Sequence, residues 1–210
     1  IVTATASDDE ICNGETVTLT GGGANSYDWT DGATGIGSGL TIDVTPIVTT
    51  TYEVIGTDIN GCENTAEVTI TVNPLPIITA TASDDEICVG ESTILTGSGT
   101  INYSWNPGGS GENIEVFPTA TTTYEVIGTD INGCENTAEV TITVNPLPIV
   151  TVSISDDEIC IGESVTLTSR GANSYLWSDE LGEIGIGLSI SVAPTFTTTY
   201  EVTRRDTNGC

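Results

Sequence analysis

The chain repeats itself three times, and no other feature constrains its fold so tightly. Cys12, Cys88 and Cys160 are separated by 76 and 72 residues, as are Trp29, Trp105 and Trp177, whereas Tyr52, Tyr124 and Tyr200 are separated by 72 and then 76. The middle copy is therefore four residues shorter between its Trp and its Tyr. Residues 49–77 and 121–149 are the same 29-residue string, TTTYEVIGTDINGCENTAEVTITVNPLPI, and TATASDDEIC stands at both 3–12 and 79–88. The third copy has drifted further. A unit repeated this faithfully is a folding unit placed in series. Asn-Pro-Leu-Pro at 73–76 and 145–148 puts two prolines where ladder hydrogen bonds fail and the joint stiffens. The expected domains are 1–75, 76–147 and 148–210.

Each copy reads as strands. In Glu67-Val68-Thr69-Ile70-Thr71-Val72-Asn73 the apolar residues share one face and the threonines the other, the period-2 pattern of a half-buried strand. Val17 and Leu19 do the same in Glu15 to Thr20. Further candidates in copy 1 are Val2 to Ala6, Ser26 to Thr30, Gly35 to Ser38, Leu40 to Thr45 and Thr51 to Thr57. Asn60-Gly61 between two alternating runs signals a hairpin. About seven strands per copy, with 24 glycines along the chain to turn them, predict an all-β fold of tandem sandwiches.

These residues resemble an immunoglobulin-like or PKD-like sandwich. Cys12 precedes Trp29 by 17 residues, as a strand B residue precedes the core tryptophan of strand C, and Tyr52 after Thr-Thr-Thr is similar to the tyrosine corner that opens strand F. More narrowly, C-x-G-E-x-V-T-L-T, then Y-x-W, then T-T-T-Y-E-V with D-x-N-G-C resembles the Ig-like repeats of giant surface adhesins in gliding bacteria and of other type IX secretion substrates. The resemblance covers all three copies and implies tandem immunoglobulin-like repeats in a head-to-tail rod. It implies core roles for Trp29, Trp105, Trp177, Tyr52, Tyr124 and Tyr200. Cys62 departs from the antibody pattern, because it comes ten residues after Tyr52 and falls in the turn between strands F and G.

Six cysteines, two per copy, imply oxidation outside the cytosol. In the Ig strand order that the resemblance implies, Cys12 and Cys62 lie at opposite ends of their domain, about 20 Å apart along a strand. A disulfide tolerates Cα atoms no more than roughly 7 Å apart. In a head-to-tail rod Cys12 faces Cys134 and Cys88 faces Cys210, so two interdomain bridges are expected, with Cys62 and Cys160 reaching copies outside the chain. Simple pairing within each copy is the other reading.

The formal charge is −27, from 30 acidic residues against three arginines. The same rod would place the Ser7 to Glu10 turn, with Asp8, Asp9 and Glu10, against Asp130, Asn132 and Glu135 of the next copy. It would likewise place Asp84, Asp85 and Glu86 against Asp206 and Asn208. Oxygen-rich clusters of this kind suit Ca²⁺. The plainer alternative is solvated turn acids that cap strands, and no D-x-D-x-D-G loop favours calcium.

Composition excludes much chemistry. Without histidine there is no histidine-based triad and no histidine zinc site, and without lysine no Schiff base or P-loop lysine. The negative field disfavours nucleic acid and anionic membranes, and no apolar run is long enough to span a bilayer. No enzyme activity is expected. The expected role is a structural stalk or filament segment of an extracellular, cell-surface bacterial protein, whose partners are neighbouring repeats or sister chains. The alternative is a multivalent adhesin or carbohydrate-binding module that takes polysaccharide or another surface ligand. Copy 3 stops inside its F to G turn, without a counterpart of Glu63 to Asn73, so the chain is expected to continue beyond residue 210, with strand donation by another chain as the alternative.

Overall fold

The computed structural model describes residues 1–210, and every regular element in it is a strand. Copy 1 runs β1 (Thr3–Ala6), β2 (Glu10–Cys12), β3 (Val17–Gly22), β4 (Ser26–Thr30), β5 (Gly35–Ser38), β6 (Thr41–Val44), β7 (Thr50–Thr57) and β8 (Glu63–Asn73). Copy 2 runs β9 (Thr79–Ala82), β10 (Glu86–Cys88), β11 (Thr93–Ser98), β12 (Asn102–Asn106), β13 (Asn113–Val116), β14 (Thr122–Thr129) and β15 (Glu135–Asn145). Copy 3 runs β16 (Thr151–Ile154), β17 (Val165–Arg170), β18 (Ser174–Asp179), β19 (Gly182–Ile186), β20 (Ser189–Val192) and β21 (Glu201–Arg205).

Each sheet draws its strands from one copy. Copy 1 has sheets β1-β3-β6 and β2-β8-β7-β4-β5, copy 2 has β13-β11-β9 and β10-β15-β14-β12, and copy 3 has β16-β17-β20 and β19-β18-β21. This strand order, with the first strand on one sheet and its continuation on the other, is that of an immunoglobulin-like sandwich. The chain divides into two compact units: Ile1–Thr81 with Thr96–Ile114 and Glu125–Glu139, and Ala82–Leu95 with Glu115–Tyr124 and Val140–Cys210.

Alternation builds the core. On β3, Val17 and Leu19 are buried while Thr18 and Thr20 lie partly open, and on β4 the buried Tyr27 and Trp29 alternate with exposed Ser26 and Asp28. β4 pairs with β7 so that Trp29 opposes Val54, and β7 pairs with β8 along its full length, from Thr50 opposite Ile70 to Thr57 opposite Glu63. Val2, Ile11, Val17, Leu19, Tyr27, Trp29, Tyr52, Val54 and Ile70 form one apolar cluster. Burying a set of side chains of this size offsets the ordering entropy of a small domain. The indole N–H of Trp29 donates to the carbonyl of Gly39, as Trp105 does to Gly111 and Trp177 to Gly187, so each core tryptophan is hydrogen-bonded as well as buried.

Two sequence expectations need correction. First, copy 1 has eight strands, because Glu10–Cys12 forms β2 and pairs parallel with the end of β8, Cys12 opposite Asn73. Cys12 therefore ends its own short strand and does not lead into strand B, which begins at Val17. Second, Tyr200 is only half-buried and lies outside a strand, whereas Tyr52 and Tyr124 are buried on β7 and β14. Tyr52 stands opposite Val68 of β8 in register. The strand C tyrosines carry a hydroxyl clasp onto the backbone. The Tyr27 hydroxyl donates to the carbonyl of Ala24 and accepts from its N–H, and Tyr103 with Thr100 and Tyr175 with Ala172 repeat the arrangement.

Candidate junction site

Two short motifs set the cysteines. In C-x-G-E the carbonyl of Cys12 accepts from the N–H of Glu15, and the N–H of Cys12 donates to the Glu15 carboxylate at 2.7 Å. Cys88 with Glu91 and Cys160 with Glu163 make the same pair of bonds. Gly14, Gly90 and Gly162 hold φ between +93° and +98° at the third position of these turns, where any other residue would be strained. In D-x-N-G-C one carboxylate oxygen of Asp58 accepts from the backbone N–H of both Asn60 and Cys62, and Asp130 and Asp206 do likewise for their own turns. Those donors hold the Asp58 carboxyl below its ordinary value of 3.8, the Cys62 N–H first and the Asn60 N–H next, against a smaller upward push from desolvation.

The first motif of one copy meets the second motif of the next. Within the first compact unit Cys12 is bonded to Cys134 with Cα atoms 5.5 Å apart, and within the second Cys88 is bonded to Cys210 at 5.6 Å. Each bridge closes 122 residues of sequence and joins successive copies. Cys134 is fully buried, while Cys62 and Cys160 are unbonded and exposed.

Hydrogen bonds add to the covalent joints. The side-chain amide of Asn136, at the start of β15, donates to the carbonyl of Pro76 in the linker between copies 1 and 2. In copy 3 the Arg204 guanidinium takes over this task, donating from Nε and an Nη to the carbonyl of Pro148. The sequence reading missed Glu15, Glu91, Glu163, Asn136 and Arg204. The glutamates were visible as the invariant fourth residue of C-x-G-E, but the linker carbonyls are not a sequence signal.

The junction acids are engaged locally. The carbonyl of Asp9 accepts from the N–H of Thr71, and a Glu10 carboxylate oxygen accepts from the Asn73 amide. The carbonyl of Asp85 and the carboxylate of Glu86 repeat both bonds with Thr143 and Asn145. Asp84 exchanges backbone bonds with the Thr93 hydroxyl, Glu135 accepts from the Thr129 hydroxyl, and Asp130 and Asp206 hold their own turns. Asp8, Asn132 and Asn208 have exposed side chains. No three Asp, Glu or Cys side chains gather into a group that could hold a metal ion. Glu10 and Glu86 bond strand-end amides, and Asp130 and Asp206 cap their own turns.

No protein-family model matches the chain, and no curated protein matches it. Solved structures similar to it include the fibronectin(III)-like modules of Clostridium thermocellum CbhA, at 11% identity and TM-score 0.35, covering 67% of this chain and 94% of that one. A 1.5-MDa bacterial ice-binding adhesin matches at 14% identity and TM-score 0.38, covering 100% of this chain and 84% of that one. A Ca²⁺-stabilized adhesin of an ice-binding Antarctic bacterium matches at 18% identity and TM-score 0.36, covering 99% of this chain and 63% of that one. The fold assignment rests on the strand order described above.

Proposed function

We propose that the chain is a force-carrying segment of an extracellular stalk or filament, built of immunoglobulin-like copies and stiffened at each joint by a disulfide. The observation that carries this reading is the overlap of the two bridges. Residues 88 to 134 lie inside both 122-residue loops, so the shortest covalent path between the chain ends does not follow the backbone. It crosses from Cys12 to Cys134, runs back to Cys88 and crosses to Cys210. Eleven peptide links lead from Ile1 to Cys12 and forty-six from Cys134 to Cys88, fifty-seven in all, against 209 along the backbone. At roughly 3.5 Å per residue, full extension falls from about 730 Å to about 200 Å. A stalk with such joints yields little even when a domain unfolds.

The distribution of aromatic side chains supports the same reading. All three tryptophans are buried, and the exposed phenylalanines, Phe117 and Phe196, do not recur at one position through the copies. The outer faces carry threonine pairs, Thr51 with Thr69 and Thr123 with Thr141. These faces offer hydroxyl pairs and carry no aromatic stacking platform repeated from copy to copy. Single-molecule pulling from the two termini tests the proposal. The oxidised chain is expected to stop near 200 Å and the reduced chain near 730 Å; an oxidised chain that runs to the reduced length contradicts the reading.

A further inference from the structure

Asparagine followed by glycine occurs at Asn13, Asn60, Asn132 and Asn208. A glycine carries no side chain to hinder the approach of its amide nitrogen to the preceding carboxamide, so this dipeptide is where an asparagine is most readily lost to ring closure. All of these pairs are exposed, and a Cβ on any of the glycines would meet nothing within 4 Å, so room does not distinguish them. Hydrogen bonding does. In the D-x-N-G-C turns the attacking nitrogen is tied down: the N–H of Gly61 donates to the carbonyl of Asp58, that of Gly133 to Asp130 and that of Gly209 to Asp206, at 3.1, 3.2 and 3.3 Å. The Asn60 carboxamide is held as well, by the Asp58 carboxylate. In the C-x-G-E turn of copy 1 the bonds pass Gly14 by. Cys12 and Glu15 bond each other and the Asn13 N–H donates to the carbonyl of Asn73, but neither the Gly14 N–H nor the Asn13 carboxamide has a partner in the protein. Copies 2 and 3 carry Val89 and Ile161 where copy 1 has Asn13.

We propose that Asn13-Gly14 is a self-modification site, at which the chain converts its own asparagine to isoaspartate and aspartate with water as the only reagent. Base removes the Gly14 N–H proton, and the nitrogen attacks the carboxamide carbon of Asn13. The bond from that carbon to the side-chain nitrogen breaks, the nitrogen takes a proton and leaves as ammonia, and a five-membered succinimide remains. Water then opens the ring. Breaking the bond between the Gly14 nitrogen and Cγ gives aspartate; breaking the bond to the backbone carbonyl carbon gives isoaspartate, through whose Cγ the chain now runs. The consequence falls on the first joint. Isoaspartate lengthens the backbone between Cys12 and Glu15 by one atom, across the span where the Cys12 carbonyl accepts from the Glu15 N–H at 3.0 Å. Either product also adds a carboxylate two residues from Glu15, whose own carboxylate holds the Cys12 N–H at 2.7 Å. The turn behind the Cys12–Cys134 bridge therefore loosens with age, whereas the turn behind Cys88–Cys210, with Val89 at this place, does not. The reaction depends on the turn alone and not on the stalk reading.

The test warms the oxidised full chain in mildly alkaline buffer, then reduces, alkylates and cleaves it after glutamate. The Ile11–Glu15 fragment is expected to gain the mass of an amide-to-acid change, in two chromatographic forms. It should do so roughly fivefold faster than the fragments carrying Asn60 and Asn132, the weight of the one hydrogen bond that their glycine amides hold. In urea with the bridges reduced, the rates are expected to converge. In the aged folded chain the Cys12 amide is expected to lose exchange protection while the Cys88 amide keeps its own, and in Asn13→Val, which takes the residue of copy 2, both are expected to stay protected. A folded chain in which Asn13 reacts no faster than the D-x-N-G-C asparagines overturns the site. A Cys12 amide as protected after conversion as before overturns its effect on the joint.

Discussion

Residues 49–77 and 121–149 are one sequence in two settings, and the difference between them isolates what a preceding copy contributes. Strands β7 and β14 show the same alternation of buried and open residues, and so do β8 and β15. The hairpin and its core face therefore do not depend on a neighbour. What changes is the turn and the foot of the last strand: Cys62 is exposed and unbonded while Cys134 is buried and bonded, and Asn136 grips the Pro76 carbonyl. The fold of each copy is local, and the joint is a property of pairs.

The largest break in this comparison comes from the cysteines. Cys134→Ser opens a loop of 122 residues, for which chain entropy alone corresponds to roughly 5 kcal/mol, so the urea midpoint should fall steeply. Cys62→Ser, the same substitution in the same local sequence, should leave the midpoint unchanged. Equal losses would mean that the two strings are not in different settings. A second substitution probes the core that the first string packs against. A Cβ placed on Gly21 would lie 2.6 Å from the Tyr27 ring, so Gly21→Ala should cost about 1–3 kcal/mol by denaturant unfolding of copy 1.

Finer tests address the foot and the turn. Asn64 and Asn136 each accept from the next residue's N–H, and only Asn136 is bonded to a linker carbonyl. Asn136→Ala should therefore cost about 1 kcal/mol more than Asn64→Ala in the same denaturation assay. The smallest effect is that of acid. The Asp58 carboxyl is held low by backbone donors, so its contribution is fully present above the ordinary carboxylate value of 3.8 and is lost as pH falls through the lower folded value. The Cys62 and Asn60 amides should keep their exchange protection down to pH 3.8 and lose it only as pH falls through the lower folded value, after correction for intrinsic exchange.

Much of this was legible in the sequence because the signals are local and repeated. Val68, Ile70 and Val72 mark one face of β8, Ser26–Thr30 and Gly35–Ser38 are strands β4 and β5 at the residues expected, and the Trp of each Y-x-W is buried. Strand β2 was hidden because three residues show no period and its partner lies some sixty residues away on β8. The clasp of Tyr27 was missed because its partner is the backbone of Ala24, which any residue could supply. At the junctions, the cysteine ends could be placed from strand order, whereas the Asn136 and Arg204 contacts depend on where a linker carbonyl points.

Counting free thiols in the monomeric chain, unfolded without reductant, tests the account most directly. Peptide mapping around the turn cannot, since Cys62 and Cys134 sit in identical sequence. Joints between successive copies leave two thiols, Cys62 and Cys160, and Cys134→Ser should raise the count to three by freeing Cys12. A parent chain with no free thiol would contradict the account, because the two joints leave Cys62 and Cys160 unbonded.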